Sequence, residues 1–110
     1  MKKLEFKNPV FLFAQQNVTV RRGRKWINSE GETVELWGKG QSYGKALITS
    51  VYSGKFSELM DNNNPTQTDI LRLEHDPQCH TIKGLHEAMK RAYLDFKDDD
   101  DVCVVEFWKT

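Results

Sequence analysis

The sequence predicts an α+β domain: a small β-barrel or curled sheet with one principal helix at about 82–95 and a buried, central C-terminal strand. Three observations predict it. Strand-like runs separated by glycine-rich turns fill the first half of the chain, one amphipathic segment follows late, and a nearly continuous apolar run, VCVVEFW at 102–108, comes last. No strand–helix alternation is present, which argues against a doubly wound nucleotide-binding sheet. The 110 residues suit one domain spanning 1–110.

NVTVRR at 17–22 alternates Val18 and Val20 with Asn17, Thr19 and Arg21, the period of a half-buried strand. TVELW at 33–37 is a second short strand, with Val34 and Leu36 on one side, and Gly38, Gly40 and Gly44 break it. Residues 45–52 make a third, rich in β-branched side chains and free of proline. FSELM at 56–60 fits one helical turn that the NNNP run at 62–65 stops. Residues 69–80 fit neither period clearly. Leu85, Ala88, Met89, Ala92, Tyr93 and Phe96 then recur at helical spacing, with Thr81 as the N-cap. Asp98 to Asp101 are unfavourable at a helix C-terminus and belong to the turn beyond it.

Sixteen basic and sixteen acidic side chains give a formal net charge of +0. That balance excludes a binder that holds nucleic acid by bulk charge, and leaves room for a small shaped site. Two cysteines cannot form a disulfide scaffold and read as free thiols. Glu5, Lys7, Asn8 and Pro9 interrupt the apolar core that a signal peptide needs, and no run approaches the roughly 20 apolar residues of a membrane span. The expectation is a cytoplasmic protein without a membrane partner.

Several familiar chemistries find no support. GKGQSYGK at 38–45 lacks the spacing of a phosphate-binding loop and reads as a hairpin turn. His75, Cys79, His80 and His86 fit no closed zinc pattern and read as surface loop residues; no metal or cofactor is expected. The informative stretch is the polar face of the 17–22 strand. Asn17, Thr19 and Arg21 share one side, Gln16 stands at its entry, and Arg21, Arg22, Arg24 and Lys25 put four cations beside Trp26. Guanidinium forks grip anions, and an indole, here Trp26, or a phenol such as Tyr52 offers a stacking face, so the cluster points to a phosphate or a base. A solvated strand with Trp26 packed in the core accounts for the same residues.

AQQNVTVR at 14–21 resembles the Gly-x-Lys-x-x-Glu/Thr-x-Arg signature of ASCH domains, members of the PUA-like barrel superfamily. Ala14 stands at the Gly position, Gln16 at the Lys, Thr19 at the Glu/Thr and Arg21 at the Arg. The order of strands, helix and terminal strand is similar along essentially the whole chain, and the nearest likeness is to small bacterial and phage ASCH proteins related to acetylcytidine amidohydrolases. The resemblance implies a PUA-like barrel binding RNA or a nucleoside in a cleft beside Thr19 and Arg21, with Gln16, Asn17, Arg22, Lys25 and Trp26 contributing. It also implies an alternative: hydrolysis of an acylated cytidine, with Thr19 as nucleophile or orienting hydroxyl. The carboxylate then falls near Gln78, or is supplied by Glu74 or Asp76, and Glu74 is the catalytic candidate. Gln16 in place of the lysine weakens that alternative, because a neutral amide exchanges no proton near pH 7. A third expectation is a protein-binding module that offers the Asp98 to Asp101 run to a host protein.

Overall fold

The computed structural model describes residues 1–12 and 16–110. Five strands, β1 (Lys3–Phe6), β2 (Gln16–Arg22), β3 (Thr33–Gly38), β4 (Gln41–Lys55) and β5 (Asp101–Lys109), form one mixed sheet in the order β1-β3-β4-β5-β2. β1 runs parallel to β3 and every other pairing is antiparallel. Three helices, α1 (Phe56–Leu59), α2 (Thr66–Leu73) and α3 (Ile82–Ala92), and one 3₁₀ turn (Pro77–Cys79) fill the stretch between β4 and β5. No helix among the described residues is long and apolar enough to cross a membrane.

The period of two in the strands builds two apolar layers. Val18, Val20, Val102 and Val104 face the helices and pack with Phe56, Ile70, Leu85 and Met89. Cys103, Val105 and Phe107 face the other side, into the curl of the sheet, with Leu4, Phe6, Trp26, Leu36 and Ile48. β4 is long enough to serve both layers because its register shifts between Ile48 and Ser50. One extra residue there reverses the alternation, so Ala46, Ile48 and Val51 share the inner side while Tyr52 turns to the helices.

Curling brings the two edge strands together without joining them. The Arg21 guanidinium of β2 lies 4.7 Å from the ring centre of Phe6 of β1, yet no ladder pairs these strands among the described residues. Among the described residues the sheet is therefore open at this seam, the curled sheet that the sequence offered beside a small barrel. Residues 74–76 plug the gap. His75 N donates to Val18 O at 2.8 Å, Glu74 forms an isolated parallel bridge with Val18, and Asn8 Nδ2 donates to Asp76 Oδ2 at 2.8 Å.

Several boundaries differ from expectation for local reasons. The helix expected to reach 95 ends at Ala92, where Tyr93 turns extended with φ −134° and ψ 100°. Phe96 is buried all the same, so its helical spacing from Tyr93 is a coincidence of packing. Thr81 caps α3 as expected, its Oγ1 accepting from Gly84 N at 3.0 Å. β5 is paired on both sides, but β4 is the middle strand. Asp98 to Asp100 lie in the turn, and Asp101 opens β5.

Candidate functional site

β2 presents its polar residues inward. Asn17, Thr19 and Arg21 stand opposite Phe107, Val105 and Cys103 in the antiparallel register, so they share the inner face, and Asn17 and Thr19 are buried at 0% and 4% exposure. A face carrying Asn, Thr and Arg reads as solvated from sequence; here the curl of the sheet and the 74–76 plug cover it. Buried polar groups have to be hydrogen-bonded. Asn17 Oδ1 accepts from Leu12 N at 2.8 Å, and Arg21 Nε donates to Thr19 Oγ1 at 3.1 Å.

A cavity of about 550 Å³ opens beside this face, within the size range of small-molecule sites. Its walls come from β1 and the following loop, β2, the β3–β4 turn, residues 74–79 and the inner side of α3; Thr19, Arg21 and Glu74 all line it. Burial lowers the Arg21 pKa, with Glu74 and Glu5 among the groups that offset part of the effect. An arginine nevertheless stays charged. Among the described residues no carboxylate comes within ion-pair distance of its guanidinium, so the fork is held in place by Thr19 and Phe6 rather than neutralised.

Glu74, 2% exposed, and His75 are pushed in opposite directions by the same burial. Desolvation pushes the Glu74 carboxyl up to about 8, against the pull of the Asp76 backbone N–H, and desolvation pushes His75 down to about 4. The hydrogen bonds agree. His75 Nδ1 lies 2.7 Å from the carbonyl oxygen of Val10, which can only accept, so Nδ1 carries the hydrogen and Nε2 is an acceptor. Nε2 is 3.2 Å from Glu74 Oε1, a contact that is favourable at neutral pH when Glu74 is the protonated partner. The contact is one between neutral groups rather than an ion pair. Asp76 is fixed by Asn8 and by Gln78 N, the latter at 3.1 Å from Oδ1.

The other residues singled out in the sequence lie elsewhere. Gln16 is half-buried and its amide donates to Thr49 Oγ1 at 3.3 Å, away from the cavity. Arg22 points to the opposite side from Arg21 and pairs with Asp95 at 2.6 Å and Asp100 at 3.9 Å. Lys25 is exposed in the turn, 5.6 Å from the Trp26 ring centre. Trp26 itself is 4% exposed in the inner core, so it offers no face for stacking, and Tyr52 packs against the helix-side layer. The Ala14 match to the signature's glycine lies outside the described residues. His75 and Cys79 are buried rather than surface loop residues, and the described residues contain no group of three or more His, Cys, Asp or Glu arranged to hold a metal.

Sequence reasoning missed the rest of the cavity. Trp37 and Tyr93 supply its aromatic walls, and Lys7, Lys39 and Arg91 its cations beyond Arg21. These residues come from three separate segments, at 7, 37–39 and 91–93, and no local pattern connects them. Compared with protein-family models, curated proteins and solved structures, the chain matches none of them.

Proposed function

We propose that the chain binds a nucleoside or a short single strand of RNA in the cavity beside Thr19 and Arg21, on the plan of a PUA-like barrel of ASCH type whose seam is filled by residues 74–76. One observation carries the proposal: Thr19, Arg21 and Glu74 line the same cavity, with the guanidinium fork held in orientation and not neutralised. A nucleobase edge offers adjacent donors and acceptors. The Arg21 N–H groups suit a base oxygen or ring nitrogen, and the Thr19 hydroxyl and Glu74 carboxyl both exchange hydrogen bonds. Trp37 and Tyr93 bring aromatic surface to the same space. The test is titration of the four ribonucleosides and a mixed-sequence hexaribonucleotide into the wild type and Arg21→Gln. Saturable binding that weakens about tenfold or more in the variant is expected, since hydrogen bonds to charged groups contribute roughly 1.5–3 kcal/mol each. Equal affinity in both proteins overturns the proposal, as does no binding to either.

Hydrolysis of an acylated cytidine is the second reading, favoured by the Glu74 carboxyl near pKa 8, which suits proton transfer at neutral pH. Two features weigh against it. Gln16 lies outside the cavity, and the hydrogen-bond partner of the Thr19 hydroxyl is Arg21, which cannot accept its proton. Incubation with acetylcytidine at high protein concentration separates the readings, because binding alone releases no cytidine. A protein-binding role for Asp98 to Asp101 draws less support, since Asp98 is 2.5 Å from His86 Nε2 and Asp100 accepts from Lys97 N at 3.0 Å.

A further inference from the structure

We infer that the cavity takes a phosphorylated ligand, a nucleotide unit with its base and sugar inside and its phosphate at the mouth, held by Lys7, Lys39 and Arg91. The inference rests on the nucleoside-binding reading above and adds the anionic group that reading leaves open. The chain as a whole carries no net charge, but the cavity is not neutral. Lys7, Arg21, Lys39 and Arg91 line it, against Glu5, Asp76 and a Glu74 carboxyl that burial keeps protonated at pH 7. Four cations thus face Glu5 and Asp76, and Asp76 already accepts two hydrogen bonds from Asn8 and Gln78.

The three outer cations arrive from different elements: Lys7 from the loop after β1, Lys39 from the β3–β4 turn, Arg91 from the last turn of α3. All three are exposed, and among the described residues none has a carboxylate within ion-pair distance. A helix C-terminus alone explains a basic residue at 91, and the Lys7 ammonium, 3.5 Å from Ala92 O, sits at that same end. It does not explain Lys39 in the β3–β4 turn. Lys39 has φ +49° and Gly40 φ +77°, the two left-handed positions of a tight hairpin turn where asparagine followed by glycine is the favoured pair. Lysine is a less favoured choice for that backbone, and it is Lys39 that lines the cavity from this turn. A phosphate at the mouth gives all three cations a common partner.

The experiment compares each ribonucleoside with its 5′- and 3′-monophosphate and with a dinucleoside monophosphate, at 50 mM and 300 mM salt, in the wild type and in the Lys39→Asn, Arg91→Ala double variant. Lys39→Asn suits the turn, so an unchanged or raised melting temperature is the check on folding. The expected result is a monophosphate or dinucleotide bound about tenfold or more tightly than the matching nucleoside at low salt, with the gap narrowing at high salt and nearly closing in the double variant. Preference for the dinucleotide assigns the phosphate to an RNA chain and preference for a monophosphate to a free nucleotide; either supports the inference. Nucleoside and nucleotide bound equally overturns it while leaving the nucleoside reading intact, and so does a gap that persists undiminished in the double variant. No binding of any probe overturns both.

Discussion

Replacing Glu74 by glutamine removes the one buried carboxyl that the cavity keeps protonated, and the consequence is a change in how stability depends on pH. In the folded protein Glu74 titrates near 8, against 4.5 for an ordinary glutamate. The unfolded chain therefore binds fewer protons at this residue between those values, and stability is lost as pH rises through the window. At about 1.36 kcal/mol per pH unit the full effect is on the order of 5 kcal/mol. His75 acts in the opposite sense, since its folded value near 4 lies below the ordinary 6.5, so its contribution is lost as pH falls from 6.5 to 4. The two slopes offset one another between about pH 4.5 and 6.5. Above 6.5 His75 is neutral in both states and Glu74 acts alone, which predicts a loss of about 1–2 kcal/mol between pH 6.5 and 8. Asp76 N and His75 Nε2 both approach the same oxygen, Glu74 Oε1, and a glutamine carbonyl there keeps the backbone hydrogen bond, so Glu74→Gln is expected to fold, to be flat above pH 6.5, and to gain stability with pH from 4 to 6.5. Urea unfolding followed by tryptophan fluorescence at half-unit pH steps measures both curves. Parallel curves for the two proteins refute the assignment of the proton to Glu74.

Other substitutions separate structure from binding. Gly84→Ala places a methyl 1.8 Å from the Gln78 carbonyl oxygen, and chemical denaturation should show a loss of about 1–3 kcal/mol or more, because backbone there cannot yield. Trp26→Ala leaves a void in the inner core and should cost about 3–5 kcal/mol in the same assay, whereas Trp26→Phe should leave nucleoside affinity within about twofold, since the indole is no part of the cavity wall. Trp37→Ala, by contrast, is expected to weaken binding by about tenfold, in line with the ~1–3 kcal/mol that stacking on an aromatic contributes. Arg22→Gln should leave affinity unchanged in the same titration, as its partners are Asp95 and Asp100.

Period-two alternation was enough to place Asn17, Thr19 and Arg21 on one face, and helical spacing with a threonine cap was enough to locate α3. Neither pattern says what covers a face. Arg21 is enclosed because Phe6 and residues 74–76 arrive from distant parts of the chain, and Trp26 is buried because the turn after β2 folds it inward, so cations adjacent in sequence to Arg21 end up serving the surface. β1 was not foreseen at all. It is four residues long with two of them exposed, and Lys3 and Glu5 disguise a strand whose Leu4 and Phe6 are core residues. Glu74 was legible as a candidate carboxylate, but its proton was not, since that depends on the burial residues 74–76 acquire in the seam. The β4 register shift, which lets one strand serve both layers, leaves no mark that composition reveals.

Amide chemical-shift mapping tests the central claim most directly. Adding the tightest-binding ribonucleoside or nucleotide to isotope-labelled protein is predicted to shift residues 19–21, 37–40 and 74–76 and the last turn of α3, with little change at 24–26, and Arg21→Gln is predicted to abolish the saturable shifts. Shifts centred on Arg24, Lys25 and Trp26 with residues 74–76 unmoved would contradict it.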